Sequence, residues 1–291
     1  MAPAKAGTGR LAIVAGSGLL PLYVAEAARR SGENPFILRL KDEADQQWQD
    51  FDNAVVGVGD VAGLSTLFRR HDIGRVVLSG GVKRRPGFRE IHVNLKALMK
   101  LPMALKTLLA GGDDAVLKMV ISLIEGQGCH VIGVQDIAPD LLASTGPLGA
   151  VTPNEDDLRD IAKGAEAAEA LGRLDVGQGA VTVGGRIVAL EGVEGTDAML
   201  ARVAHLRSEG RISQRRKGVL VKLCKPQQDL RADLPSIGRS TMENAKRAGL
   251  AGVAVEAGRA LVIEREATIA AANEAGLFVI GIDRGLPGGV M

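Results

Sequence analysis

Asp229 and Asp233 lie four residues apart in the run Lys222-Leu223-Cys224-Lys225-Pro226-Gln227-Gln228-Asp229-Leu230-Arg231-Ala232-Asp233-Leu234-Pro235. At that spacing two side chains share a face in a helical turn, and also in an extended strand. Two carboxylates held together raise each other's pKa unless a cation intervenes. Mg²⁺ is the hard cation suited to oxygen ligands that it shares with a substrate phosphate. Lys222, Lys225 and Arg231 can neutralise the same phosphates. This run therefore points to metal-assisted chemistry on a phosphate, against the plain alternative of a surface loop of mutual ion pairs.

Two glycine turns could hold the other end of such a substrate. Gly16-Ser17-Gly18, followed by Leu19, closes the apolar run at Leu11–Ala15 and precedes a helical pattern. Glycines there let the backbone approach a phosphate or sugar, and a helix N-terminus favours negative charge. The pattern lacks the third glycine of a dinucleotide fingerprint, and no acid sits cleanly about 20 residues on to hold a ribose. Gly80-Gly81-Val82-Lys83-Arg84-Arg85 follows a second apolar run at Arg75–Leu78 and suits a phosphate or a ribose, or is a solvated basic loop. Asp113 and Asp114 follow Gly111-Gly112; one of them is a plausible helix cap and the pair exceeds what a cap requires. Thr196 or Asp197 would cap another helix, with Gly195 beside it, and Gln178 lies just before a strand.

The elements that must position these groups alternate. Strands are expected at Leu11–Ala15, Phe36–Leu40, Ala54–Val58, Arg75–Leu78 and His130–Val134, and helices at 21–30, 61–70, 95–109 and 114–127. This is a parallel sheet covered on both faces, and its carboxyl edge carries both glycine turns. After Leu142 the pattern changes. Ser144–Gly149 is rich in turn residues and reads as a linker. An Ala-rich helix at 156–171 follows. Gly184-Gly185 between two β-rich runs marks a hairpin. A second, looser hairpin is expected about Ala257-Gly258, and 265–275 reads as a helix before a last strand at 277–280. The fold class is therefore α/β: a Rossmann-like parallel-sheet domain at 10–143, a linker at 144–155, and an α/β domain with a mixed sheet at 156–283 that carries the carboxylates.

Composition agrees. The 291 residues suit two domains, and 46% hydrophobic residues suffice for two cores. Only 2% are aromatic, so Ala, Val, Leu and Ile must fill the interior. The same scarcity removes the stacking platforms of single-stranded nucleic-acid binders. A net charge of +2 is too balanced for a duplex-binding surface, so no nucleic-acid partner is expected. Cys129 and Cys224 show no zinc spacing and read as buried thiols of a reducing compartment. His71, His92, His130 and His205 are scattered, which disfavours a histidine-built dinuclear metal site. No run approaches the roughly 18 apolar residues of a membrane span, and the start lacks a signal-peptide core, so a cytoplasmic protein is expected. The first nine residues and the run from Arg284 onward read as tails.

The motifs in order are IVAGSGLLP (13–21), LSGGVKRRP (78–86), GGDDAVLK (111–118), DVGQGAV (175–181), EGTDAML (194–200), VKLCKPQQDLRADLPSIG (221–238) and AGLAGVAVEAGRALVIER (248–265). Together they resemble the LpxI-type UDP-2,3-diacylglucosamine pyrophosphatases of lipid A biosynthesis, over nearly the whole chain. The resemblance implies Mg²⁺-dependent attack of water on the α-phosphorus, giving UMP and 2,3-diacylglucosamine 1-phosphate. It implies a site between two domains, a homodimer, and work at the inner membrane face without a spanning segment. The family's catalytic aspartate belongs to the KPxQDxRxDLPxIG stretch, where Asp229 and Asp233 match and Asp233 is favoured. Lys225 and Arg231 would meet the leaving phosphate. Gly16, Ser17, Gly18, Leu19, Gly80, Gly81, Lys83, Asp114, Gln178, Gly195, Thr196 and Lys222 would contact substrate. Arg239 departs from the proline usual after the Ile-Gly of this stretch. A nucleotide-sugar oxidoreductase using NAD and a non-catalytic nucleotide-sugar binder are the rival readings. The first is opposed by the incomplete glycine pattern; the second predicts binding without UMP release.

Overall fold

The architecture was read from a computed structural model in which residues 9–82 and 113–284 are described. The chain divides into two compact units. The first takes the residues up to Asp140 together with Asp229–Asp233, and the second takes Leu141–Gln228 and the residues from Leu234 onward.

In the first unit, strands and helices alternate: β1 (Arg10–Ala15), α1 (Leu20–Arg30), β2 (Phe36–Leu40), β3 (Asn53–Val56), α2 (Val61–Arg70), β4 (Ile73–Ser79), α3 (Asp113–Glu125), β5 (His130–Ile132) and α4 (Val134–Ile137). The strand order is β3-β2-β1-β4-β5, and every pairing is parallel. The order reverses between β1 and β4, so the crevice at their carboxyl ends is where such a sheet takes ligands. Ala12, Val14, Leu38, Val76 and Val131 share one core with Phe68, Ile121 and Ile124 from α2 and α3. Asp60 starts α2 by accepting from the Gly63 N–H, which satisfies an otherwise unpaired helix amide. The helix expected at 95–109 lies outside the described residues.

The second unit contains β6 (Gly146–Pro147), α5 (Glu155–Arg173), β7 (Gly179–Val183), β8 (Arg186–Leu190), α6 (Gly195–Ser208), β9 (Val219–Lys222), β10 (Ser236–Ile237), α7 (Arg239–Arg247), β11 (Gly252–Glu256), β12 (Leu261–Val262), α8 (Arg265–Glu274) and β13 (Phe278–Ile282). Its main sheet runs β6-β13-β11-β9-β7-β8. β13, β11 and β9 are parallel, whereas β6, β7 and β8 pair antiparallel, so the sheet is mixed. Strand side chains alternate between two cores. Val181, Leu220, Val253, Val255 and Val279 join Met199, Met242 and Ala272 on one face. Ala180, Val219, Val221, Ala254 and Ile280 join Ile161 and Ala168 of α5 on the other. Gly164 lets α5 close on β9: a Cβ there would meet the Val221 methyl at 2.6 Å.

The Gly184-Gly185 hairpin forms between β7 and β8, with both glycines at positive φ. The second hairpin does not form. β11 pairs parallel with β9 and β13, and β12 pairs parallel with β10 in a separate two-stranded sheet. The backbone between β11 and β12 bonds elsewhere: the Ala257 N–H donates to Ile282 O and the Gly258 N–H to Ala143 O. Among the described residues no helix is long and apolar enough to cross a membrane.

Candidate active site

In the first unit the two glycine turns meet. Ser17 N–H donates to Gly81 O at 2.8 Å, Gly81 N–H returns the bond to Ser17 O at 2.9 Å, and Gly16 N–H donates to Ser79 O at 2.8 Å. The approach requires Gly16, where a Cβ would lie 2.3 Å from Gly81 O. Gly18 N–H donates to both carboxylate oxygens of Asp45, at 2.9 and 3.2 Å. The amides of Gly16, Ser17, Gly18 and Gly81 are thus already engaged by protein acceptors. Asp45 was not singled out in the sequence, because the loop after β2 holds several acids, Asp42 and Glu43 among them, with nothing to rank them. Leu19 and Gly80 lie on these turns; Lys83 lies outside the described residues.

The carboxylate run folds as a turn. Ala232 N–H and Asp233 N–H both donate to Asp229 O, at 3.0 and 3.3 Å, so the aspartates are one helical turn apart. Arg231 clasps Asp229 from two nitrogens: Nε lies 3.0 Å from Oδ1 and Nη2 2.7 Å from Oδ2. The Arg231 N–H adds a third bond to Oδ1. This guanidinium holds the Asp229 carboxyl below the usual carboxylate range, with a further contribution from the Lys118 charge. Arg231 also reaches Glu125 on α3 at 2.9 Å. Gln135, at the start of α4, donates to Leu230 O at 3.2 Å. Ala232 packs against the first unit's core. Asp114 gives one oxygen to Lys118 at 2.7 Å, and its other is buried with no partner among the described residues.

In the second unit, the carboxyl end of β9 carries the cations. Lys222 is buried and donates to Ser236 O at 3.0 Å. Lys225 donates to Asp175 at 2.8 Å, Cys224 N–H donates to the buried Glu256 at 3.0 Å, and Leu223 N–H donates to Gln178 O at 2.9 Å. Buried Glu191 draws two further residues together: Thr196 Oγ1–H donates to it at 2.6 Å and Gln178 N–H approaches it at 3.4 Å. Thr196 and Asp197 do not cap α6. Glu194 precedes the helix without a side-chain cap, and Thr196 lies inside its first turn. Gly195 is left-handed, with φ 79. Sequence reasoning missed Glu125 and Glu256, since each is an isolated acid recognised only through its partner.

The donors can be weighed against Mg²⁺, which commonly takes one or two carboxylates and leaves the rest to substrate phosphates and water. Both Asp229 oxygens are engaged by Arg231, and no group of three or more His, Cys, Asp or Glu side chains is placed to hold a metal among the described residues. Asp233 contributes a hard oxygen donor on the same turn. A cation at this turn would therefore take few protein carboxylates and would need substrate phosphate and water to complete its shell.

Comparison with known proteins bears on the whole chain. The LpxI N-terminal domain model matches residues 10–141 and the LpxI C-terminal domain model matches residues 144–280. A "UDP-2,3-diacylglucosamine pyrophosphatase LpxI" from Caulobacter vibrioides is 41% identical over 276 residues, 94% of this chain and 98% of that protein. Two solved structures align with low TM-scores. A GalE-like L-threonine dehydrogenase from Cupriavidus necator has TM-score 0.27 and 20% identity over 50% of this chain and 42% of its own. A Thermus thermophilus UDP-glucose 4-epimerase has TM-score 0.30 and 14% identity over 92% and 84%. Matched in both halves by the family's own domain models, and along nearly its full length by a member, the chain belongs to the LpxI family.

Proposed function

We propose that this chain is a hydrolase of lipid A biosynthesis that cleaves the pyrophosphate of UDP-2,3-diacylglucosamine. The observation that carries this reading is the 41% identity to the Caulobacter enzyme across 98% of that protein. The carboxylate turn at 229–233 supports it. A water oxygen attacks the α-phosphorus, the bond from that phosphorus to the bridging oxygen breaks, and UMP and 2,3-diacylglucosamine 1-phosphate leave.

Asp233 orients the attacking water or holds the cation. Asp229, clasped by Arg231, keeps the turn charged and in register. Lys225 and Arg231 meet negative charge that grows on the leaving phosphate, where fixed cations contribute most. The glycine turns at Gly16–Gly18 and Gly80–Gly81 hold the UMP side by shape, since four of their amides already have partners. Mg²⁺ is part of the proposal: Asp233 and Asp229 are the residues that would hold it, and when bound it would supply polarisation of the phosphoryl oxygen and a more acidic water. A homodimer in the cytoplasm, touching the inner membrane face where the lipid resides, completes the reading.

The test is UMP release from UDP-2,3-diacylglucosamine in detergent, with Mg²⁺, with EDTA, and with the Asp233→Ala protein. Metal-dependent release that is lost in Asp233→Ala is expected. Undiminished turnover in both Asp233→Ala and Asp229→Ala would remove the carboxylate assignment. Absence of release from folded wild-type protein would remove the reaction.

A further inference from the structure

Glu125 is the last residue of α3, where the helix dipole presents its negative end. A carboxylate there is unfavourable unless a cation offsets it. No basic residue occupies the last turn of α3 itself. The cation comes from far along the chain: Arg231 Nη1 lies 2.9 Å from Glu125 Oε1. The other nitrogens of the same guanidinium hold both oxygens of Asp229. Arg231 is therefore shared between two carboxylates, one on a helix and one on the carboxylate turn.

The rest of α3 is matched to this arrangement. Asp114, Lys118 and Glu125 follow at intervals of four and seven residues, which places them along one helix face. The Lys118 charge bears on Asp229, and Lys118 is itself held by Asp114 at 2.7 Å. The face thus runs acid, base, acid, opposite a turn that offers Asp229 and Arg231. His130 Nδ1 also lies 3.8 Å from Glu125 Oε1, half exposed.

We propose that Glu125 is a positioning residue for the reaction: acting through Arg231, it fixes Asp229 and the turn that ends at Asp233 on the first unit. The inference rests on the pyrophosphatase reading for its catalytic consequence, and on the geometry alone for the tether. Without Glu125, Arg231 keeps Asp229 but loses its anchor on α3. The turn then samples more orientations, and Asp233 spends less time where the chemistry needs it.

The experiment compares full-length wild type with Glu125→Gln, Arg231→Ala and the double variant. Each is assayed for UMP release and followed by amide hydrogen exchange over 229–233. Glu125→Gln is expected to lower kcat roughly tenfold with KM changed less than about twofold, because positioning losses fall on the transition state. Its exchange over 229–233 should be faster while the melting temperature holds. In the Arg231→Ala background the same change should cost nothing further, since coupled residues are not additive. Additive losses, a kcat loss that tracks a lower melting temperature, or unchanged kcat would overturn the positioning role. If wild type releases no UMP, the pyrophosphatase reading fails and exchange alone decides the tether: equal exchange in wild type and Glu125→Gln overturns it.

Discussion

Lys225 Nζ lies 2.8 Å from Asp175 Oδ1, and Asp175 reaches it from a left-handed backbone with φ 55. Both side chains are largely buried. The neighbouring Gln227 donates to Gly172 O at 2.7 Å, and the missing Cβ of Gly172 lets Lys225 and Pro226 approach the end of α5. The α5 terminus is thus a seat for the first half of the charged run, and Asp175 fixes the position of the Lys225 ammonium. Asp175→Ala is expected to raise KM about fivefold, equivalent to about 1 kcal/mol, with a smaller effect on kcat. Steady-state kinetics decide it, and an unchanged KM would show that Lys225 needs no aiming.

The Asp229 carboxyl binds its proton less readily in the fold than in the unfolded chain, because Arg231 favours its charged form. Such a group adds stability above its unfolded pKa and loses it as pH falls through the lower folded one. Wild-type melting temperature should therefore drop below about pH 4, and Asp229→Asn should show a shallower drop over the same range. Parallel curves for the two proteins would contradict this.

Asp160 sits on α5, almost fully buried, and accepts from the Gly184 N–H at 2.8 Å and the Gly185 N–H at 2.5 Å. It ties the tight turn of the β7–β8 hairpin to the helix that covers the sheet. Asp160→Ala leaves two turn amides without their acceptor and should cost about 1–3 kcal/mol. Urea unfolding measures it, and a loss within error of zero would mean that water replaces the carboxylate fully.

Burial pushes the Cys129 thiol up to about 11. At pH 8 only about one part in a thousand is then thiolate, the reactive form. Native protein should alkylate very slowly at Cys129, and urea-unfolded protein quickly; mass spectrometry after iodoacetamide treatment separates the two. Rapid labelling of Cys129 in the native fold would be inconsistent with its burial, where its Sγ–H donates to Ile73 O at the start of β4.

The legible parts of the sequence were those carried by local rules. Gly184-Gly185 announced its turn because two positive φ angles in succession have few other solutions. β1 through β5 followed from short apolar runs closed by turn residues. The pattern failed at Ala257-Gly258, where a similar turn joins strands that belong to different sheets. A turn residue states that the chain bends; it does not state which backbone will accept the freed N–H groups. The same limit applies to the acids. Asp229 stood out because cations crowd it in sequence, whereas Asp45, Glu125 and Asp175 gain meaning from partners 27, 106 and 50 residues away.

Asp229–Asp233 is a five-residue excursion: the chain leaves the second unit after Gln228, seats Ala232 on the first unit's core, and returns at Leu234. No single cut can therefore divide this protein into its two halves intact. A fragment beginning at Leu141 would carry the carboxylate turn but not the core beneath it, and a fragment ending at Asp140 would keep the core and lose the turn. Mixing the separately made halves would restore activity only by refilling that seat.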